Sequence, residues 1–269
     1  MQLTATCTLT VTNTADCPLV AMLRARHGEA QHILQERFDV HPWVPFVDTT
    51  DVYGNLCQRM VLPSGPAHIA MEVTAIVAPH IAVAPDAAPT PVQDLPDSVL
   101  LYLLQSRYCP SDKLAAQALA IVGAAPPGYA QAEAIRAWIH ANLQYQYGVS
   151  NATTDAIDTL SHGAGVCRDF AHVGIALCRS LRLPARIVAG YLHGLEPMDL
   201  HAWFEVFMEG RWYTFDATQT EPRGGRIVLA YGRDAADVAF ISDYGSAPLE
   251  IRSMQVTVDL SPHAIIPAG

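Results

Sequence analysis

The chain has 269 residues, a formal net charge of −10, a sequence pI of about 5.4 and 51% hydrophobic residues. That length suits one large or two ordinary domains with an ample core. The acidic balance, without a basic stripe, argues against nucleic acid or an anionic membrane surface as partner, and no run approaches the ~18 apolar residues of a membrane helix.

The opening run MQLTATCTLTVT alternates apolar and polar residues as a half-buried strand does. It lacks the charged segment and apolar core of a signal peptide, so a soluble, cytoplasmic bacterial protein is expected. Short strands continue to about residue 78, punctuated by turns at Asp16-Cys17-Pro18, Tyr53-Gly54-Asn55 and Pro63-Ser64-Gly65, and a Pro/Ala-rich stretch follows through Pro96. Residues 1–97 are predicted to be a β-sandwich and linker, and residues 98–269 a second domain of α+β type. Helical patterns occupy about 98–107, 112–122 and 129–143, the last with Ile135, Trp138, Ile139 and Leu143 along one side. These helices are expected to cover a further helix that starts at Cys167. Strands are predicted near 185–192, 201–208, 211–217 and 254–260, giving the second domain an antiparallel sheet on which the Cys167 helix packs.

The six cysteines, at positions 7, 17, 57, 109, 167 and 178, lack CxxC spacing and read as reduced thiols. Cys167 and Cys178 lie 11 residues apart on one helix, a rise of ~16 Å against the ~7 Å that a disulfide spans. His27, His32 and His41 are scattered through a β-rich region without HExxH or clustered carboxylates, and no phosphate loop occurs. Neither a metal nor another cofactor is expected.

Cys167 is set apart by its neighbours. Gly163 and Gly165 permit unusual backbone angles just before it, while Phe170, Val173, Gly174, Leu177 and Leu181 recur on one helical face and Pro184 ends the helix. A thiol in the first turn meets unpaired backbone N–H groups and the positive end of the helix dipole, which favour a thiolate and can hold an oxyanion. Cys178, in the helix interior, reads as an ordinary buried cysteine. Downstream, HAWFEVFM and RWYTFDAT flank Glu209 and Gly210 as the two strands of a hairpin. With a two-residue loop Met208 pairs with Arg211, Asp216 falls opposite Trp203, and His201 lies two residues along on the same face. That diagonal separates Cα atoms by about 7 to 8 Å, which an Asp–His pair can span. A three-residue loop would put Asp216 on the wrong face. Cys167, His201 and Asp216 thus follow one another on helix, strand and strand, at gaps of 34 and 15 residues, as nucleophile, base and orienting acid.

The runs GVCRDFAH, RLPARIVAGYL, LHAWFEVF and WYTFDAT resemble the transglutaminase-like superfamily, in particular its bacterial cysteine-protease branch. GRDAADVA at 232–239 and, in the N-terminal part, Leu23-Arg24, Gln31, Pro42 and the run Asp51 to Asn55 extend the likeness over most of the chain. The resemblance implies a papain-like or transglutaminase-like core with Cys167 as nucleophile, His201 as base and Asp216 as orienter. The implied reaction is acyl transfer: a thiolate attacks an amide carbonyl of a peptide or protein substrate, and water hydrolyses the thioester. Two alternatives stand beside hydrolysis. Glutamine-to-lysine cross-linking shares every step up to the thioester, and a non-catalytic binding module would keep the fold alone. Hydrolysis is preferred because no residue marks an amine site. Around the triad, Tyr147, with Tyr145 beside it, is a candidate second oxyanion donor, and Tyr191 and Trp203 are candidates to border the substrate cleft. Asp169 and His172 of the CRDFAH run are assigned to stabilising the helix start or a neighbouring strand.

Overall fold

The computed structural model describes residues 1–28 and 31–261; residues 262–269, the end of the predicted second domain, lie outside them. The first strands are β1 (Gln2–Asn13), β2 (Cys17–Ala21), β3 (Gln31–His41), β4 (Phe46–Thr50), β5 (Leu56–Leu62) and β6 (Gly65–Val77). Next come α1 (Asp97–Leu100), α2 (Ala115–Val122), α3 (Tyr129–Asn142), β7 (Gln144–Tyr145), α4 (Ala156–His162), β8 (Ala164–Gly165) and α5 (Cys167–Ser180). The remaining strands are β9 (Ala185–Leu192), β10 (His201–Met208), β11 (Arg211–Phe215), β12 (Arg226–Gly232), β13 (Ile241–Asp243) and β14 (Glu250–Leu260).

β1 shows why the first part folds as sheets. Leu3, Ala5, Cys7, Leu9 and Val11 are buried in alternation with threonines on the other face. Thr4 and Thr6 bond the hydroxyls of Thr74 (2.9 Å) and Thr257 (2.8 Å) on the flanking strands. Two antiparallel sheets result, β14-β1-β6-β3 and β13-β2-β5-β4, and Leu19, Met60, Leu62, Ile69 and Met71 join β1 in one core between them. The expected β-sandwich is present; β2, β4 and β13 are short, as expected, whereas β1, β3, β6 and β14 run to between 11 and 13 residues. β14 departs from expectation: predicted for the second sheet, it pairs with β1 from Leu3↔Leu260 to Thr12↔Glu250. Only Val258 of this strand is buried, which suits a sheet edge and not a strand covered on both faces.

A third sheet, β11-β10-β9-β12, is antiparallel throughout. Met208↔Arg211 closes its hairpin with Glu209 (φ 48°) and Gly210 (φ 78°) as a two-residue loop, the register read from the sequence. α5 packs on this sheet against Ala202, Phe204 and Val206. A Cβ at Gly174 would stand 2.5 Å from the Phe204 ring, so glycine is what lets helix and strand approach. Ala118 and Val122 of α2 and Ile135 and Ile139 of α3 join the same core, leaving every residue of α5 from Asp169 to Arg179 buried.

Several stretches differ from the predicted helices and strands, among them the short strands β7, β8 and β13, which were not predicted. The 98–107 pattern yields only α1 and a 3-10 turn at Leu101–Leu103. Arg179 donates to Leu104 O (2.9 Å) and Ser106 Oγ (3.0 Å), holding the chain extended where a helix would continue. α4, absent from the prediction, is capped by Asp155, whose carboxylate accepts from the N–H groups of Ile157 (2.8 Å) and Asp158 (2.9 Å). β12, likewise not predicted, closes the far edge of the third sheet beside β9.

Candidate active site

The short strands β7 and β8 pair in parallel just before α5, Gln144↔Ala164 and Tyr145↔Gly165, and so bring Tyr145 to the helix mouth. A Cβ at Gly165 would come within 2.7 Å of Asp169 Cβ, which explains the glycine where the chain turns into the helix. Asp169, fully buried, accepts Val166 N–H at 2.9 Å and pairs with Arg168 Nη2 at 2.9 Å, the helix-start role expected of it. His172 accepts Ala235 N–H at 3.1 Å and stacks on Tyr108 with ring centroids 5.0 Å apart. Burial pushes its pKa down to about 3, so it is a neutral structural group. All six cysteines are free; Cys167 is partly exposed and the other five are buried. Burial pushes the Cys178 thiol well up.

His201, the first residue of β10, and Asp216, just beyond β11, meet as the hairpin register requires. Nε2 and Oδ2 are 2.8 Å apart, and the residues are 1% and 5% exposed. Asp216 Oδ1 accepts from Thr218 Oγ1 (2.8 Å) and Thr218 N–H (3.1 Å), and Arg226 Nη2 stands 2.9 Å from Oδ2, off the line of a hydrogen bond. Burial alone would raise this carboxyl's pKa. The charges of His201 and Arg226, with the hydrogen bonds from His201 and Thr218, outweigh it and hold Asp216 well below the usual carboxylate range. Burial also disfavours an imidazolium, yet the charge and hydrogen bond of Asp216, followed by the Cys167 thiol, lift His201 to about 9. With Nε2 engaged by Asp216, Nδ1 has no hydrogen-bond partner among the described residues and is the nitrogen left to exchange a proton with Cys167. Such a set can take a proton from a thiol, hold it on a ring of fixed orientation and return it.

Of the two tyrosines, Tyr145 is the one that faces Cys167: burial, then the Cys167 thiol and Tyr147, push its phenol well up. Tyr147 packs edge-on against Tyr145, ring centroids 5.6 Å apart, and is 53% exposed. Tyr191 does not border a cleft as expected. It is fully buried in the sandwich core beside Cys7. Trp203, also buried, sets its ring centroid 6.0 Å from that of His201 and screens the imidazole. Thr218 and Arg226 were not sequence candidates. Thr218 carries a local signal, an acceptor two residues before it in a turn; Arg226 carries none, because it reaches Asp216 from a separate strand. Among the described residues no group of three or more His, Cys, Asp or Glu side chains converges to hold a metal.

A family profile described as the transglutaminase-like superfamily matches residues 115–217. The solved structure of a "putative cysteine protease" from Cytophaga hutchinsonii is similar over 97% of this chain and 93% of that one, at 34% identity and a TM-score of 0.89. An uncharacterized protein of Mycobacterium leprae is 33% identical over 111 residues, 38% of this chain, and the chain spans 39% of that relative's length. The periplasmic domain of TgpA from Pseudomonas aeruginosa is similar over 77% of this chain and 88% of that one, at 17% identity and a TM-score of 0.40. The cytoplasmic expectation is withdrawn: it rested on a leading strand and on unpaired cysteines, and neither feature distinguishes the compartments. Among the described residues no helix is long and apolar enough to cross a membrane.

Proposed function

The chain belongs to the transglutaminase-like superfamily, and on that footing we propose that it is a cysteine hydrolase in which Cys167, His201 and Asp216 cleave a peptide or amide bond through a thioester. Cys167 Sγ attacks the carbonyl carbon while the thiol proton resides on His201 Nδ1. The Cys167 N–H, in the first turn of α5, and the Tyr145 hydroxyl receive the oxyanion. The C–N bond breaks as the imidazolium gives its proton to the leaving amine. Water then attacks the thioester with Nδ1 as base, and thiol and acid product separate. Asp216 stays ionised and holds the ring through Nε2.

The observation that carries this reading is the buried His201–Asp216 pair at 2.8 Å, set beside a partly exposed thiol at a helix start. The Cytophaga hutchinsonii relative, named for protease activity, supports hydrolysis over amine transfer. The proposed division of the chain is a β-rich part, 1–97, and a catalytic part from 98 onward, with β14 returning to the first sheet. Wild type and Cys167→Ala are to be incubated with peptides and glutaminyl amides, with and without a primary amine, and the products read by mass spectrometry. Acid product from wild type alone, unchanged by the amine, is expected. Amine-containing product as the major species would assign cross-linking, and inertness to all substrates with an unreactive Cys167 would assign a binding module.

A further inference from the structure

Asp216 meets two cations at a single atom. His201 Nε2 lies 2.8 Å from Oδ2 and Arg226 Nη2 lies 2.9 Å from the same oxygen, so the two nitrogens are less than about 6 Å apart. Both side chains are buried, where salt and water screen little of the repulsion between a guanidinium and an imidazolium. The other carboxylate oxygen, Oδ1, is taken by the hydroxyl and N–H of Thr218. Arg226 is placed to act by charge more than by shape. Its Nη2 stands off the line of a hydrogen bond, and among the described residues its side chain makes one hydrogen bond, from Nε to Arg223 O at 3.1 Å. The guanidinium lies over Trp203 at 4.7 Å, and that ring packs with its centroid 6.0 Å from that of His201. β12 thus fixes a permanent positive charge at the carboxylate that orients the base.

The other charges near the pair come from several elements. Cys167 opens α5 beside the ring, with Tyr145 at that thiol, and Asp199, ahead of β10, reaches His201 by charge alone. Around Asp216, Glu133 and Arg136 of α3 pair with each other at 2.6 Å, Glu221 is exposed, and His140 meets Ala217 O at 3.0 Å. Further along β10, Glu205 is held by Arg186 at 2.6 Å. Among the described residues, Arg226 is therefore the cation that shares Asp216 with the base. The sharing matters for the second half of the proton's path. A carboxylate bound to the imidazole alone favours the charged ring, and a ring held too firmly in that form keeps the proton that a leaving amine needs.

We propose that Arg226 is a positioning residue of the triad: by sharing Oδ2 with His201 it weakens the grip of Asp216 on the imidazolium, and so leaves that ring free to protonate the leaving amine. The role rests on the reading of Cys167, His201 and Asp216 as a hydrolytic triad, but its measurement needs no turnover. An inert Cys167 would remove the hydrolase reading without touching the titrations below.

The test is an NMR titration of the His201 ring in the full chain, as wild type, Arg226→Met and Arg226→Lys, with circular dichroism to establish that each is folded. Two like charges less than about 6 Å apart, at an effective dielectric constant of about 20, repel strongly enough to hold the ring's midpoint down by about one pH unit or more. Arg226→Met, which keeps an unbranched chain and removes the charge, should therefore raise the midpoint from about 9 by that much. Arg226→Lys keeps the charge and should bring the midpoint back toward the wild-type value. Wild type gives a reading that no variant's folding can spoil: the Cζ carbon resonance of Arg226 should move with the same midpoint as the His201 ring, because both groups meet Oδ2. A midpoint unchanged or lowered in Arg226→Met, the same rise in both variants, or an Arg226 Cζ that is still across the His201 transition would overturn the assignment.

Discussion

Replacing Asp216 by Asn preserves the shape of the side chain and removes its charge from a buried position where two cations depend on it, His201 Nε2 at 2.8 Å and Arg226 Nη2 at 2.9 Å. His201 stands at about 9 against its ordinary 6.5. At about 1.4 kcal/mol for each tenfold change in acidity, that difference is about 3 kcal/mol in favour of the imidazolium. Burial pulls the other way, so most of the upward pull comes from Asp216, and without it the ring should titrate below 6.5. Thiol attack gathers a proton on this ring, so the same ~3 kcal/mol returns as a rate loss of about 10²- to 10³-fold. The assay pairs an NMR titration of the His201 ring with the rate of Cys167 alkylation by iodoacetamide at neutral pH, on wild type and Asp216→Asn, with circular dichroism to establish that both are folded. A His201 midpoint still near 9 in the variant, or alkylation at the wild-type rate, would refute the reasoning.

The raised pKa of His201 carries a stability consequence of definite sign: its contribution is complete below the unfolded value of 6.5 and is lost as pH rises through about 9. Urea unfolding should therefore show wild type losing up to about 3 kcal/mol more than Asp216→Asn between those two pH values, and parallel profiles would contradict it. Fast iodoacetamide labelling should disappear in Cys167→Ala and persist in Cys178→Ala, whose cysteine is fully buried; equal loss in both variants would remove Cys167 from its place. Gly174→Ala puts a methyl 2.5 Å from the Phe204 ring and should cost about 1–3 kcal/mol in urea unfolding, with partial recovery on adding Phe204→Leu, whereas a neutral substitution would mean that helix and strand are not in tight contact.

The parts of the site legible in the sequence are those written in short-range chemistry. Two residues, Glu209 and Gly210, accept the positive φ of a tight hairpin turn, and the parity they impose is what carries Asp216 to His201. Gly165, Cys167 and the apolar face from Phe170 to Leu177 likewise mark the start of α5 without reference to anything distant. What stayed hidden is decided by partners far along the chain. The apolar run after Asp97 reads as a helix until Arg179 takes the carbonyl of Leu104, and Tyr145 is distinguished from Tyr147 only by the pairing of β7 with β8. β14 has strand character but no local mark of which sheet it completes. The same division runs through the triad. Which groups react follows from residue types and a hairpin register, but the charge on the ring does not. It depends on burial, on Thr218 and on Arg226, which arrives from β12 at the opposite edge of the sheet from the hairpin turn strand β11. Sequence therefore names the nucleophile, base and acid, while the pH range over which they work is a property of the packed sheet.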